Sequence, residues 1–287
     1  MTARRFAQVD VFTDVALGGN PLAVVLDSDG LDAERMQAIA RWTNLSETVF
    51  VSASARADYR VRIFSPRNEL PFAGHPTIGT AHAARTHGLV DPARESLVQE
   101  CGAGLVPLRA DASGVIRARV PRPKRADAHV SADDLSAAFG GAELHDPFAV
   151  DVGVVWIVAR VSPATLAALR PDFPRLAALS TATRATGATV YAVAERARGG
   201  APGPAVEVRS FAPADGIPED PVCGSGNASV AAHARLTGQL ATIGSSYLAS
   251  QGRFVGRDGR IAVTLEGDDV WIGGRSVTVV SGTIDVG

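Results

Sequence analysis

Apolar residues along this chain fall mostly into short β-branched and aromatic runs of strand length. "FAQVDVFT", "PLAVVLD", "TVFVSAS" and "YRVRIFS" alternate or run apolar and then stop at polar or glycine-rich breaks, as strands do. "LVQECGAGLVPLRAD" and "VIRARV" continue the pattern after a helix-like segment. Helical periodicity is rarer. "DAERMQAIARWTN" (Asp32–Asn44) spaces its apolar residues for one helix face and places acids in its first turn. "VSADDLSAAFGG" opens another helix, with Ser131 as its N-cap. Two alanine-rich helices are expected from about Pro76 and Gly226, closing before Gly88 and Gly238. "ERARGGAPGPAVEV" reads as an exposed hairpin loop, and the last 28 residues as hairpins.

The two alanine-rich helices are copies of one device. "LPFAGHPTIGTAHAARTHG" (Leu70–Gly88) superposes on the stretch ending "PVCGSGNASVAAHARLTG" (Pro221–Gly238) at a constant offset of 150. Gly74 falls on Gly224, His75 on Ser225 and Ala73 on Cys223. Upstream, "VRIF" at 61 matches "VRSF" at 208, which implies three residues inserted before the second glycine. "SETVFV" matches "GATVYAV", placing Glu47 over Ala188. "NPLAVVL" corresponds more weakly to "VGVVWIVARV". A repeat this long indicates a duplicated domain, not a solenoid. The fold class is therefore α+β: two pseudo-symmetric halves, each a curved, mostly antiparallel, β-barrel-like sheet around a central helix.

Composition narrows the chemistry. The net charge of −2 leaves no basic footprint for nucleic acid or a membrane surface. No run approaches membrane-spanning length, and the start carries no signal-like apolar segment, so a cytoplasmic protein is expected. The two cysteines, Cys101 and Cys223, form no disulfide framework. Of 28 basic residues only Lys124 is lysine, and it sits in "VPRPKRAD", which reads as a solvated linker. That leaves no lysine for a Schiff base and no Walker-type phosphate loop. No metal-binding spacing occurs, and no cofactor is expected.

Chemistry should lie where the two copies differ. Facing helix N-termini would present free N–H groups and positive dipole ends to a small carboxylate or a developing oxyanion. Around them the repeat places Glu47, His75, Cys223 and Asp220, the last read as part of the insert. Each also has a bland reading. Glu47 could be a solvated turn carboxylate, His75 a helix cap, Asp220 a turn residue and Cys223 a small buried filler. Cys101, His82, His87 and His233 read as packing or surface groups.

The motifs "GGNPLAVV", "NLSETVFV", "ELPFAGHPTIGTAH", "EDPVCGSGNASVAA" and "SQGRFVGRDGRI" resemble, in order and over nearly the whole chain, the PhzF-like phenazine-biosynthesis family. The resemblance implies a diaminopimelate-epimerase-like fold and a cofactor-free isomerase, often dimeric, that moves a proton along an unsaturated ring acid. It implies Glu47 as the proton shuttle, with His75 and Asp220 holding the substrate. Gly74, Gly224 and Ser225 match groups around the substrate's acidic end, and Asn20, Ser46, Thr77 and Gly226 join them as expected substrate contacts. Cys223 departs from the phenazine isomerase, which is similar to a threonine form here, and only one of the two thiols of the wider fold's racemases is present. An amino-acid epimerase using Cys223 and Glu47, or a non-catalytic small-molecule binding protein, are the alternatives. The expected halves are 1–122, completed by strand 278–287, and 128–277, with the active-site cleft between them.

Overall fold

The computed structural model describes residues 3–194 and 203–286, so most of the loop expected between the strands at 187 and 206 lies outside the described residues. The chain divides into two compact units, one formed by Met1–Arg119 with Gly273–Gly287 and the other by Val120–Ile272.

In the first unit β1 (Ala3–Val11) pairs antiparallel with β2 (Asn20–Val25). β2 runs parallel to β3 (Thr48–Ser52), and β3 antiparallel to β4 (Tyr59–Phe64). β4 takes the short β5 (Glu69–Leu70) antiparallel and β6 (Ser96–Cys101) parallel. β7 (Gly104–Ala110) and β8 (Ile116–Arg119) continue as a meander. α1 (Ala33–Thr43) is capped by the Asp32 carboxylate, which accepts from the Arg35 N–H, and ends at Asn44 in the left-handed region. It closes one face over a cluster of Met36, Ile39, Phe50 and Phe64.

α2 (Gly74–Thr86) is buried on nearly every face, which is why it is built from small residues. It packs against β1, β2, β3 and β8. At Gly79 a β-carbon would come within 2.6 Å of Val11 Cγ2 and 2.7 Å of Leu22 Cδ2, so the helix touches the sheet almost backbone to side chain. Gly88 follows the helix at φ +72°, a conformation that favours glycine.

The second unit repeats this plan. It begins with β9 (Lys124–Arg125), whose pairing with β10 (His145–Asp151) makes the stretch around Lys124 a sheet edge and not a solvated linker. α3 (Ala132–Ala138) is capped by Ser131. β10 pairs antiparallel with β11 (Val155–Arg160). α4 (Pro163–Ala168) and α5 (Phe173–Thr183) precede β12 (Gly187–Val193), which lies parallel to β11 and antiparallel to β13 (Val206–Ala212). β13 takes β14 (Ile217–Asp220) antiparallel. α6 (Gly224–Leu236) is the buried central helix, followed by the single turn α7 (Leu240–Ile243). β15 (Ser246–Gln251) runs parallel to β13 and antiparallel to β16 (Gly259–Glu266). β17 (Asp269–Gly274) follows, and β18 (Ser276–Asp285) returns to pair with β1 in the first unit.

The weak match of "NPLAVVL" to "VGVVWIVARV" thus becomes a topological one: β2 and β11 each lie between an antiparallel and a parallel neighbour. Both central helices start two residues earlier than the sequence suggests, at Gly74 and Gly224, because Ala73 and Cys223 already have the extended backbone of N-caps.

Pairing register corrects the repeat at two places. Thr48 lies opposite Phe64, and Ala188 opposite Phe211. Since Phe64 and Phe211 correspond in "VRIF" and "VRSF", Gly187, not Ala188, stands where Glu47 stands. A matching Thr-Val pair had pulled the sequence alignment one residue out of register. Likewise Ile63 pairs with Leu70, and Ser210 with Asp220. Asp220 is therefore the counterpart of Leu70 and does not belong to an insert. The three added residues fall in the turn around Pro213–Asp215, which extends the β13–β14 hairpin.

Candidate active site

In the first unit the turn after α1 delivers Ser46 and Glu47 to the start of β3, while Asn20 opens β2 and His75 is the second residue of α2. The three elements meet because β2 and β3 are parallel neighbours and α2 packs on both. His75 Nε2 stands 3.4 Å from Glu47 Oε2, with the side chains 4% and 12% exposed. His75 Nδ1 lies 3.4 Å from the amide nitrogen of Asn20, and Ser46 Oγ donates to Asn20 Oδ1 at 3.5 Å. Burial pulls the imidazole pKa down to about 3, so His75 is neutral across ordinary pH. Glu47 is thus held next to a neutral polar partner in a water-poor setting.

Gly74 opens α2, and its first N–H groups have no acceptor within the helix. Thr77 turns inward: its hydroxyl donates to the Ala73 carbonyl at 2.9 Å and accepts from Gln99 at 3.1 Å. It ties the first helical turn to β6.

The second unit builds a different site on the same frame. The Val222 N–H donates to Asp220 Oδ1 at 3.0 Å, and the Cys223 thiol also hydrogen-bonds the carboxyl. Burial outweighs these bonds and raises the Asp220 pKa to about 6. Cys223 caps α6, accepting from the Gly226 N–H at 3.3 Å, whereas Ala73 in the other copy offers its helix no side-chain cap. Ser225 accepts from the Trp156 indole N–H at 3.0 Å and lies 3.6 Å from the Cys223 sulfur. Gly226 has room for nothing larger: a β-carbon there would meet Ser210 Oγ at 2.5 Å and Thr189 Oγ1 at 2.9 Å.

Three residues that the sequence did not single out hold this loop. Gln251 is 3% exposed. Its Oε1 accepts from Cys223 N–H and Asn227, and its Nε2 donates to the Asp220 carbonyl. Arg209 grips Glu219, next to Asp220, through two bonds of 2.9 and 2.8 Å. Trp156 orients Ser225. The arginine–glutamate pair was readable, since Arg62 and Glu69 occupy the same places in the first copy and are joined in the same way. Gln251 carries no such signal, because its counterpart in the first copy is Cys101.

His82 bonds Thr278 and His233 bonds Tyr191 and the Asp146 carbonyl, both structural roles. Among the described residues no group of three or more His, Cys, Asp or Glu side chains is arranged to hold a metal ion. No helix among them is long and apolar enough to cross a membrane.

One unit thus joins a carboxylate to a neutral imidazole, and the other a buried carboxyl to a thiol and a serine, each group beside a helix N-terminus. Carboxyl, imidazole and thiol groups are the side-chain types that can serve general acid–base chemistry. Residues 9–282 match the family model described as phenazine biosynthesis-like protein. The chain is 34% identical to the trans-2,3-dihydro-3-hydroxyanthranilate isomerase of Pseudomonas chlororaphis, over 96% of this chain and 97% of that one. It is 35% identical to antisense-enhancing sequence 1 of Schizosaccharomyces pombe, over 98% and 99% of the two chains. Its fold superposes on the crystal structure of a PhzF-family phenazine biosynthesis protein from Bacillus anthracis with a TM-score of 0.84, at 26% identity and 99% coverage of both chains. The chain belongs to the phenazine biosynthesis-like family, and it is an isomerase of that type.

Proposed function

We propose that this protein is a cofactor-independent isomerase of a small unsaturated cyclic carboxylic acid, resembling either trans-2,3-dihydro-3-hydroxyanthranilate or a pyrroline carboxylate, in a biosynthetic pathway such as that of an antibiotic. The observation that carries the reading is the buried contact of Glu47 with neutral His75 at the head of a buried helix. A carboxylate so placed can take a proton from an allylic carbon and return it at another carbon of the same conjugated system. The reaction is redox-neutral, and the proton lost at one carbon is regained at the other.

In this reading the N-terminus of α2, through Gly74, and that of α6, through Gly224, Ser225 and Gly226, each offer free N–H groups to the acid group or to dienolate-like charge. His75 and Asp220 position the ring, with Asn20, Ser46 and Thr77 supporting their side of the pocket. The Pseudomonas chlororaphis relative, named as an isomerase of such a ring acid, supports the substrate class. A homodimer, as the family resemblance implies, and the cytoplasmic location expected from the sequence complete the reading.

A second reading is favoured by one observation: Cys223 caps α6 and bonds a carboxyl whose pKa burial has raised. A thiol there could serve an amino-acid epimerase as the second base. Incubation of the purified enzyme with dihydro-hydroxyanthranilate, dihydropyrrole carboxylates, proline and diaminopimelate separates the two. Double-bond migration in an unsaturated ring acid is expected. Inversion of a saturated amino acid without migration would overturn the isomerase reading.

A further inference from the structure

Asn20, Ser46, His75 and Glu47 form a directional chain of polar contacts. The amide nitrogen of Asn20 faces His75 Nδ1 at 3.4 Å, and its Oδ1 accepts from Ser46 Oγ at 3.5 Å. A primary amide nitrogen can only donate, so Nδ1 must accept, and a neutral imidazole then carries its one proton on Nε2. Nε2 is the atom 3.4 Å from the Glu47 carboxylate. With the amide turned over, Nδ1 would hold the proton and a lone pair on Nε2 would face the carboxylate oxygen. That arrangement repels an ionised Glu47.

We propose that Asn20 is a positioning residue that fixes His75 as the Nε2–H tautomer, so that the imidazole turns an N–H, and not a lone pair, toward Glu47 and keeps the carboxylate ionised and aimed. This rests on the reading of Glu47 as the proton carrier. The same geometry makes His75 a donor and not the acid of the reaction: its proton is needed at Glu47, and the buried ring has no second proton to give at neutral pH. Asn20 is itself 1% exposed and opens β2, so the backbone pairing with β1 and β3 sets its place. Its amide is a rigid reference against which the ring is oriented.

The test is long-range proton–nitrogen NMR of enzyme labelled with ¹⁵N-histidine, with His75→Gln to assign the ring. Wild type is expected to show a neutral ring protonated at Nε2 from pH 5 to 8. Asn20→Asp places an acceptor opposite Nδ1 and should bring a proton to that atom, with kcat falling ~10–100-fold, as for lost orienting partners, and KM changing less. A wild-type ring protonated at Nδ1 would overturn the proposal, as would an unchanged tautomer in Asn20→Asp. If Asn20→Asp fails to fold, the wild-type spectrum still decides. A Glu47→Gln enzyme with full turnover and the expected tautomer would instead count against the proton-carrier role and leave the tautomer assignment standing.

Discussion

A β-carbon on Gly187 would stand 2.0 Å from the carbonyl oxygen of Phe211, and 2.9 Å from the Trp156 ring. By strand register this glycine holds the place that Glu47 holds in the other copy. The duplicated frame thus carries a carboxylate on one side and leaves no space for any side chain on the other. The obstructing atom is backbone within a paired strand and cannot swing away as a side-chain tip would. Gly187→Ala should lower stability by about 1–3 kcal/mol or more. A fall in the urea midpoint at unchanged m-value would report it, and an unchanged midpoint would contradict the close approach.

The two arginine–glutamate pairs make an internal control, because geometry is shared and burial is not. Side chains of Arg209 and Glu219 are 7% and 10% exposed, against 31% and 43% for Arg62 and Glu69. Arg209 also stacks over Phe254, 4.1 Å from the ring centroid. Removing a buried partner strands the other charge, so Arg209→Ala should cost about 3–5 kcal/mol. The same change at Arg62 leaves Glu69 to water and should cost about 1 kcal/mol or less. Equal losses for the two variants in chemical denaturation would show that burial does not set the difference.

Much of this was legible in the residues. The glycine-led helices announced themselves by small-residue runs ending in Gly88 and Gly238, and the fold class followed from the repeat. Glu47, His75, Asp220 and Cys223 stood out as the points where the copies part. What the residues could not give was register. Thr-Val recurs in both "SETVFV" and "GATVYAV", so the alignment locked onto it, while the backbone pairing set the true correspondence one residue away. Asp220 looks inserted in the sequence because the extra residues lie in the adjoining turn, where length changes cost little. Gln251 was silent for a different reason. A buried amide that knits a loop together looks like any polar strand residue until its partners are in space.

Asp220 makes a stability signature in pH. Burial lifts its carboxyl from 3.8 to about 6 in the folded protein. Between those values the folded chain keeps a proton that the unfolded chain has released. Its contribution is full below about pH 4 and is lost as pH rises through about 6. Asp220→Asn removes that titration. Relative to wild type, the variant should gain on the order of 1–3 kcal/mol between pH 4 and pH 7. Urea unfolding of both proteins across this range checks it, since the opposite drift from His75, with its pKa of about 3, is common to both. A constant difference would mean that the carboxyl titrates normally.

Cys223 discriminates the two reaction types. As the α6 cap it accepts from Gly226 N–H, a bond that a serine hydroxyl can also make. Under the isomerase reading Cys223→Ser should lose less than ~10-fold in kcat/KM, while a thiol acting as an acid–base group would bring its loss level with that of Glu47→Gln, ~100-fold or more. Steady-state kinetics of the two variants on one substrate provide the comparison.

The most direct test of the central claim is proton NMR in heavy water with dihydro-hydroxyanthranilate as substrate, run on wild type and on Glu47→Gln. Wild type should place deuterium on a ring carbon as the double bond moves. Glu47→Gln should do both at least ~100-fold more slowly while its folded spectrum is retained. Deuterium transfer at the wild-type rate in Glu47→Gln would contradict the assignment of Glu47 as the group that carries the proton.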